Sequence, residues 1–174
     1  MAEPLDFEAF CLGQNARLIR MLTLYCGDVE VARDLTQETL ARAWVHWRKV
    51  RRMDRPELWL RRVALNLATS HFRHRKVERS MERRQRPDAS GAGTAAAAEP
   101  AGLAADRLLV REALSRLSDR QRMALILRYL DDLSVEQTTE LMGCSAGTVK
   151  KLTARGLVAL RTLVGEELEV SRDS

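Results

Sequence analysis

Thr148, Lys151 and Arg155 recur at helical spacing in the last third of the chain, with Lys150 beside them. A hydroxyl and three cations grouped on a helix suit contacts to phosphates and to base edges in a DNA major groove. A second concentration of charge lies in the middle. Residues 48–86 hold 14 Lys and Arg against 4 Asp and Glu, a net of +10, whereas residues 1–47 come to −3 and residues 87–174 to −2. One basic block between acidic flanks is a polyanion-binding surface; a general nucleic-acid coat would be basic throughout. His71 and His74 could supply two ligands to a metal. No Cys, Asp or Glu stands ready to complete the shell, so a solvated or phosphate-facing pair is the simpler reading. Cys11, Cys26 and Cys144 are scattered, which indicates neither a disulfide framework nor a zinc motif. No cofactor is implied.

The elements that must position these groups are helices. Ser134 with Gln137 three residues later forms a capping-box pattern. It opens a helix to about Met142, where Gly143 offers the positive φ of a tight turn. Ser145 caps the next helix. There Val149, Leu152, Gly156 and Leu160 share the inward face, and Gly156 lets a neighbour approach closely. Leu133 to Arg161 therefore reads as a helix-turn-helix with its cationic face outward.

Upstream, four prolines and no alternating stretch predict an all-α chain. A first helix is expected from about Leu5 to Cys26. A second, from about Val29 to Arg48, has Ala32, Leu35, Leu40, Ala43, Trp44 and Trp47 on its apolar face. After a charged break from Lys49 to Arg55, Pro56 fits the first turn of a third helix. Leu60, Val63, Ala64, Leu67 and Phe72 should face inward there, with Trp59 in the core. Arg61, Arg62, Asn66, Ser70, Arg73 and Lys76 gather on another side. From Pro87 to Ala105 the sequence is PDASGAGTAAAAEPAGLAA, too poor in large apolar residues to offset its ordering entropy. Periodicity resumes at Asp106, and Ser118 or Asp119 caps a helix carrying Met123, Leu125, Ile126, Leu127 and Tyr129. The expected architecture is two small helical domains, 1–86 and 106–174, joined by a flexible Ala/Gly/Pro linker over 87–105. The N-terminus has no secretion-type pattern, and no apolar run approaches the roughly 20 residues of a membrane span. A cytoplasmic protein without membrane insertion is expected.

Two segments, in order, carry a family likeness. VARDLTQETLARAW (Val31–Trp44) followed by WLRRVALNLATSHFRHRK (Trp59–Lys76) resembles the second domain of extracytoplasmic-function sigma factors of bacterial RNA polymerase. The stretch from Leu114 to Arg161 is similar to their fourth domain. The TARGL wording and Arg-rich centre resemble an actinobacterial branch. The resemblance implies a dissociable transcription initiation factor whose partners are core RNA polymerase and promoter DNA, with an anti-sigma factor as a further candidate partner. It implies that Asp34, Gln37, Glu38 and Arg42 contact the polymerase clamp. It places Arg51, Arg52, Met53 and Asp54 near an extruded base of the −10 element, with Arg62, Asn66, Ser70 and Arg73 along the strand. Thr148, Lys150, Lys151 and Arg155 then face the −35 element. The chain departs from many relatives in having Arg33 before Asp34, Ser70 where an Asp is frequent, and Lys151 where a Ser is frequent. The last leaves base preference open. There is no room for the middle domain of housekeeping sigma factors.

Other classes explain less. A free-standing repressor or activator would use only the helix-turn-helix and leave the DLTQE stripe and the +10 segment without a task. An enzyme lacks a glycine-rich phosphate loop, a nucleophile elbow and a metal constellation. A purely structural adaptor has no need of a basic recognition helix.

Overall fold

The computed structural model describes residues 6–85 and 109–172, and side chains as far as Arg73 in the first stretch and Gly165 in the second. The segment expected as a linker, 87–105, lies outside the described residues, as do the side chains of His74 and Lys76. Eight α-helices are present among those described: α1 (Phe7–Cys26), α2 (Val29–Val45), α3 (Trp47–Val50), α4 (Pro56–Gln85), α5 (109–115), α6 (Asp119–Leu125), α7 (Val135–Met142) and α8 (Ala146–Arg172). There is no strand among them. They divide into two compact units. The first holds α1 as far as Leu22 with α2, α3 and α4; the second holds Thr23–Gly27 with α5 to α8.

Helix α1 ends at Gly27, whose φ of 75° suits a residue without a Cβ. Asp28 then caps α2, its side chain accepting from Glu30 N at 2.9 Å and Val31 N at 3.3 Å. The buried stripe of α2 is Ala32, Thr36, Thr39 and Ala43. The two threonines tolerate burial because each hydroxyl donates back along the helix, Thr36 to Ala32 O at 2.7 Å and Thr39 to Leu35 O at 2.6 Å. This corrects the apolar face expected from sequence. Leu35 and Leu40 are half-buried at its edges, and Trp44 is 63% exposed, resting one ring edge on Phe7 at 4.9 Å. Small residues on the buried stripe let α2 pack closely, which leaves the largest side chain outside.

The second helix also does not run unbroken to Arg48. His46 leaves helical geometry (φ −102°, ψ 12°), and α3 restarts at Trp47. Trp47 packs on Phe7 and Phe10 at 5.1 and 5.3 Å, and Val50 is fully buried. Pro56 opens α4 as expected, and Leu58, Leu60, Ala64, Leu65 and Ala68 enter the core. Val63, Leu67, Phe72 and Trp59 are only half-buried. Arg61, expected on the polar side, is buried. It falls on the stripe Leu58–Arg61–Leu65–Ala68, and its guanidinium donates to Glu57 O at 3.3 Å.

In the second unit Ala113, Leu114 and Leu117 of α5 and the following turn are buried. Ser118 caps α6 in a full capping box with Gln121. The helix after it is not regular throughout. Residues Ile126–Leu130 form a π turn, so Asp131 N reaches Ile126 O at 3.1 Å and Tyr129 lies exposed. Arg122 is buried because carbonyls surround it: Nε donates to Leu114 O at 2.8 Å, Nη2 to Ser115 O and Leu117 O at 2.9 and 3.2 Å, and Nη1 to Tyr25 O at 2.8 Å. A guanidinium can satisfy several helix-end carbonyls at once, which its flat fork of donors allows.

Candidate functional site

The helix-turn-helix forms as its sequence predicts. Ser134 Oγ accepts from Gln137 N at 3.2 Å, and Gln137 Oε1 accepts from Ser134 N at 2.7 Å. Gly143 ends α7 in the left-handed region (φ 59°, ψ 42°). Ser145 Oγ then accepts from Thr148 N at 3.2 Å and starts α8. Val149 is fully buried, and Leu152 and Leu160 are half-buried. Gly156 is the closest approach: a Cβ there would stand 3.1 Å from Leu125 Cγ and Cδ1 and 3.5 Å from Gln121 Cβ of α6. That contact fixes the rotation of α8, and Lys150, Lys151, Ala154 and Arg155 consequently face solvent. Thr148 is half-buried, and its hydroxyl lies 2.9 Å from Ser145 Oγ, so it is partly engaged in the cap.

On α4 four of the expected polar residues share one exposed face. Arg62, Asn66, Ser70 and Arg73 are all exposed, and Thr69, unnamed by sequence reasoning, joins them at the i+3 position from Asn66. The turn before α4 carries Arg51, Arg52 and Asp54 exposed, with Met53 half-buried among them. On α2, Asp34, Gln37, Glu38 and Arg42 are exposed on the side opposite the buried stripe. Glu38 and Arg42 pair with each other at 2.8 Å, and Arg33 pairs with Glu30 at 2.6 Å. At such exposure each pair is worth only about 0.3–0.5 kcal/mol, so a partner can break it cheaply. Among the described residues no group of three or more His, Cys, Asp or Glu could hold a metal.

Residues 14–78 match the family described as Sigma-70 region 2, and residues 107–160 match Sigma-70, region 4. The RNA polymerase sigma-E factor of Streptomyces avermitilis is 35% identical over 98% of this chain and 89% of its own length. The ECF RNA polymerase sigma factor SigL of Mycobacterium tuberculosis is 33% identical over 84% of this chain and 81% of its own. The chain belongs to the extracytoplasmic-function sigma factors. Streptomyces and mycobacterial sigma factors stand among its relatives, in keeping with the actinobacterial likeness of the sequence wording. Among solved structures, the sigma factor RpoE in complex with the anti-sigma factor NepR from Bartonella quintana aligns with a TM-score of 0.74 at 26% identity, covering 92% of this chain and 97% of that one. CnrH in complex with the cytosolic domain of CnrY aligns with a TM-score of 0.61 at 18% identity and supports the fold.

As a sigma factor the protein binds core RNA polymerase and directs it to promoter DNA. Both family matches lie on the described helices that expose the polar faces above. No described helix is long and apolar enough to cross a membrane. Thr69 on the exposed face of α4 was not named from the sequence, though the 3.6-residue period places it there.

Proposed function

We propose that the three exposed faces divide the work of promoter-directed initiation, and that the protein catalyses no reaction of its own. Asp34, Gln37, Glu38 and Arg42 on α2 contact the polymerase clamp. Arg51, Arg52, Met53 and Asp54 receive an extruded base of the −10 element, and Arg62, Asn66, Ser70 and Arg73 follow the single strand. Thr148, Lys150, Lys151 and Arg155 read the −35 duplex. The observation that carries this reading is the segregation on α2 and α4: each helix buries one stripe and exposes the named residues on another. A row of guanidinium and amide groups neutralises phosphates, and a turn with a half-buried Met53 offers an apolar wall to a flipped base. Thr148 contributes through its position at the start of α8, since its hydroxyl already serves the cap. An anti-sigma factor is a further partner, by likeness to the neighbour solved with NepR.

The test of the α2 assignment is charge reversal at Asp34 and Glu38 together. Both side chains are exposed, so helix content by circular dichroism should not change. Co-purification of core polymerase with the tagged protein should fall by tenfold or more, an effect of about 1.4 kcal/mol. Undiminished co-purification would remove the clamp role from this stripe.

A further inference from the structure

The face of α8 that the Gly156 contact turns outward is chemically one-sided. Beyond the first turn, the exposed residues as far as Val158 are Lys150, Lys151, Ala154, Arg155 and Val158. Ammonium and guanidinium groups donate hydrogen bonds and accept none. The stretch contains no carboxylate or carboxamide side chain, and the Thr153 hydroxyl is buried. The Thr148 hydroxyl lies 2.9 Å from Ser145 Oγ and is engaged in the cap. This face therefore cannot accept from the amino groups of adenine and cytosine. It can donate to guanine O6 and N7, to adenine N7 or to thymine O4, so its cations leave thymine undistinguished from other acceptor edges.

Ala154 supplies a different kind of contact. It lies three residues from Lys151 and four from Lys150, on the same side of the helix and directly before Arg155. It stands about 12 Å along the axis from Ala146, whereas Val158, 64% exposed, stands about 18 Å along. A major groove about 12 Å wide, entered by the N-terminal part of the helix, takes in the first and not the second. Gly147 keeps the entering end low. A Cβ there would meet nothing nearer than Ser145 Oγ at 3.9 Å, so packing within the protein does not demand glycine, and the bare backbone lets a duplex come close. Thymine is the base whose major-groove edge carries a methyl. We propose that Ala154 determines specificity at one −35 position by packing its Cβ against a thymine 5-methyl, while Lys150, Lys151 and Arg155 donate to neighbouring acceptors. This rests on α8 being the −35 reader. One methyl withdrawn from water is worth about three- to fourfold in an equilibrium constant.

The experiment is promoter selection by holoenzyme, assembled from core polymerase and the full chain, on a library randomised through the −35 element. The preferred promoter is then remade with deoxyuridine for each −35 thymine in turn, on either strand, which removes the 5-methyl and keeps the base pair. In promoter competition, wild-type holoenzyme should lose about three- to fourfold at one position and be indifferent at the others. Holoenzyme carrying Ala154→Gly should no longer distinguish thymine from uracil at that position, whereas Val158→Ala should keep the distinction. The thymine-to-uracil ratio is taken within each variant, so a change in overall stability does not enter it. A clear −35 preference with no uracil effect at any position overturns the proposal and leaves α8 as the reader. A uracil effect that persists in Ala154→Gly, or that Val158→Ala removes instead, overturns it equally. Absence of any −35 preference removes the reading of α8 itself, and the role of Ala154 with it.

Discussion

One position separates Arg61, buried against Glu57 O, from Arg62, exposed on the face that also presents Asn66, Thr69, Ser70 and Arg73. Composition counts both as basic charge, yet only the second kind can meet a phosphate. Replacing Arg62 and Arg73 by Ala should reduce promoter opening and flatten its salt dependence, by about 0.7 in log–log slope for each single-strand phosphate no longer neutralised. Permanganate footprinting across a salt series measures this, and an unchanged slope would leave these arginines as mere solvated side chains. Replacing Arg61 by Ala should behave differently, lowering the melting temperature without a change in salt slope. The distinction is a matter of helical phase. Arg61 lies on the stripe of Leu58, Leu65 and Ala68, a pattern visible in the sequence, but a buried guanidinium contradicts the usual fate of arginine and is easily read as surface. Thr36 and Thr39 escaped for the converse reason. Their hydroxyls look polar in a sequence, and only the bonds to Ala32 O and Leu35 O make them core residues.

At the scale of elements, α8 is positioned by one close contact. A methyl at Gly156 would stand 3.1 Å from two carbons of Leu125, tighter than ordinary packing, so the buried Leu125 or α8 must give by a few tenths of an ångström. Gly156→Ala should therefore destabilise the second unit by about 1–3 kcal/mol and reduce −35 selection by the holoenzyme. Trimming the neighbour in Leu125→Ala should restore much of that selection in the double variant, because it frees the space the methyl needs. Thermal melts and promoter competition assays check both parts, and a fully active Gly156→Ala single variant would mean that α8 is not held here.

The caps that bound the later elements, Ser118, Ser134 and Ser145 with Gly143 between α7 and α8, were legible because each uses a residue type with a specific local bond. The break at His46 and the π turn at Ile126–Leu130 were not. Trp47 packs on Phe7 and Phe10 beside the first, and Ile126 and Leu127 are buried in the second; neither has a glycine or proline as a mark.

For the molecule as a whole, each unit carries its own polar face, and the second has few groups with which to hold duplex DNA. The exposed cations of the recognition segment of α8 are Lys150, Lys151 and Arg155, so duplex affinity of the isolated chain should be weak, in the micromolar range or worse at physiological salt. Polymerase makes the second engagement intramolecular and raises overall affinity by about 10²–10⁴-fold. The most direct measurement is run-off transcription from pooled genomic fragments, with core polymerase alone, with the wild-type chain, and with Lys151→Ala and Arg155→Ala combined. Discrete promoter-dependent transcripts are expected only when the wild-type chain is added. They should vanish with the variant, although the free variant binds duplex almost as weakly as the wild type. Nanomolar binding of one duplex sequence by the isolated wild-type chain, with no promoter-dependent transcript from the holoenzyme, would contradict a promoter reader that works only on polymerase.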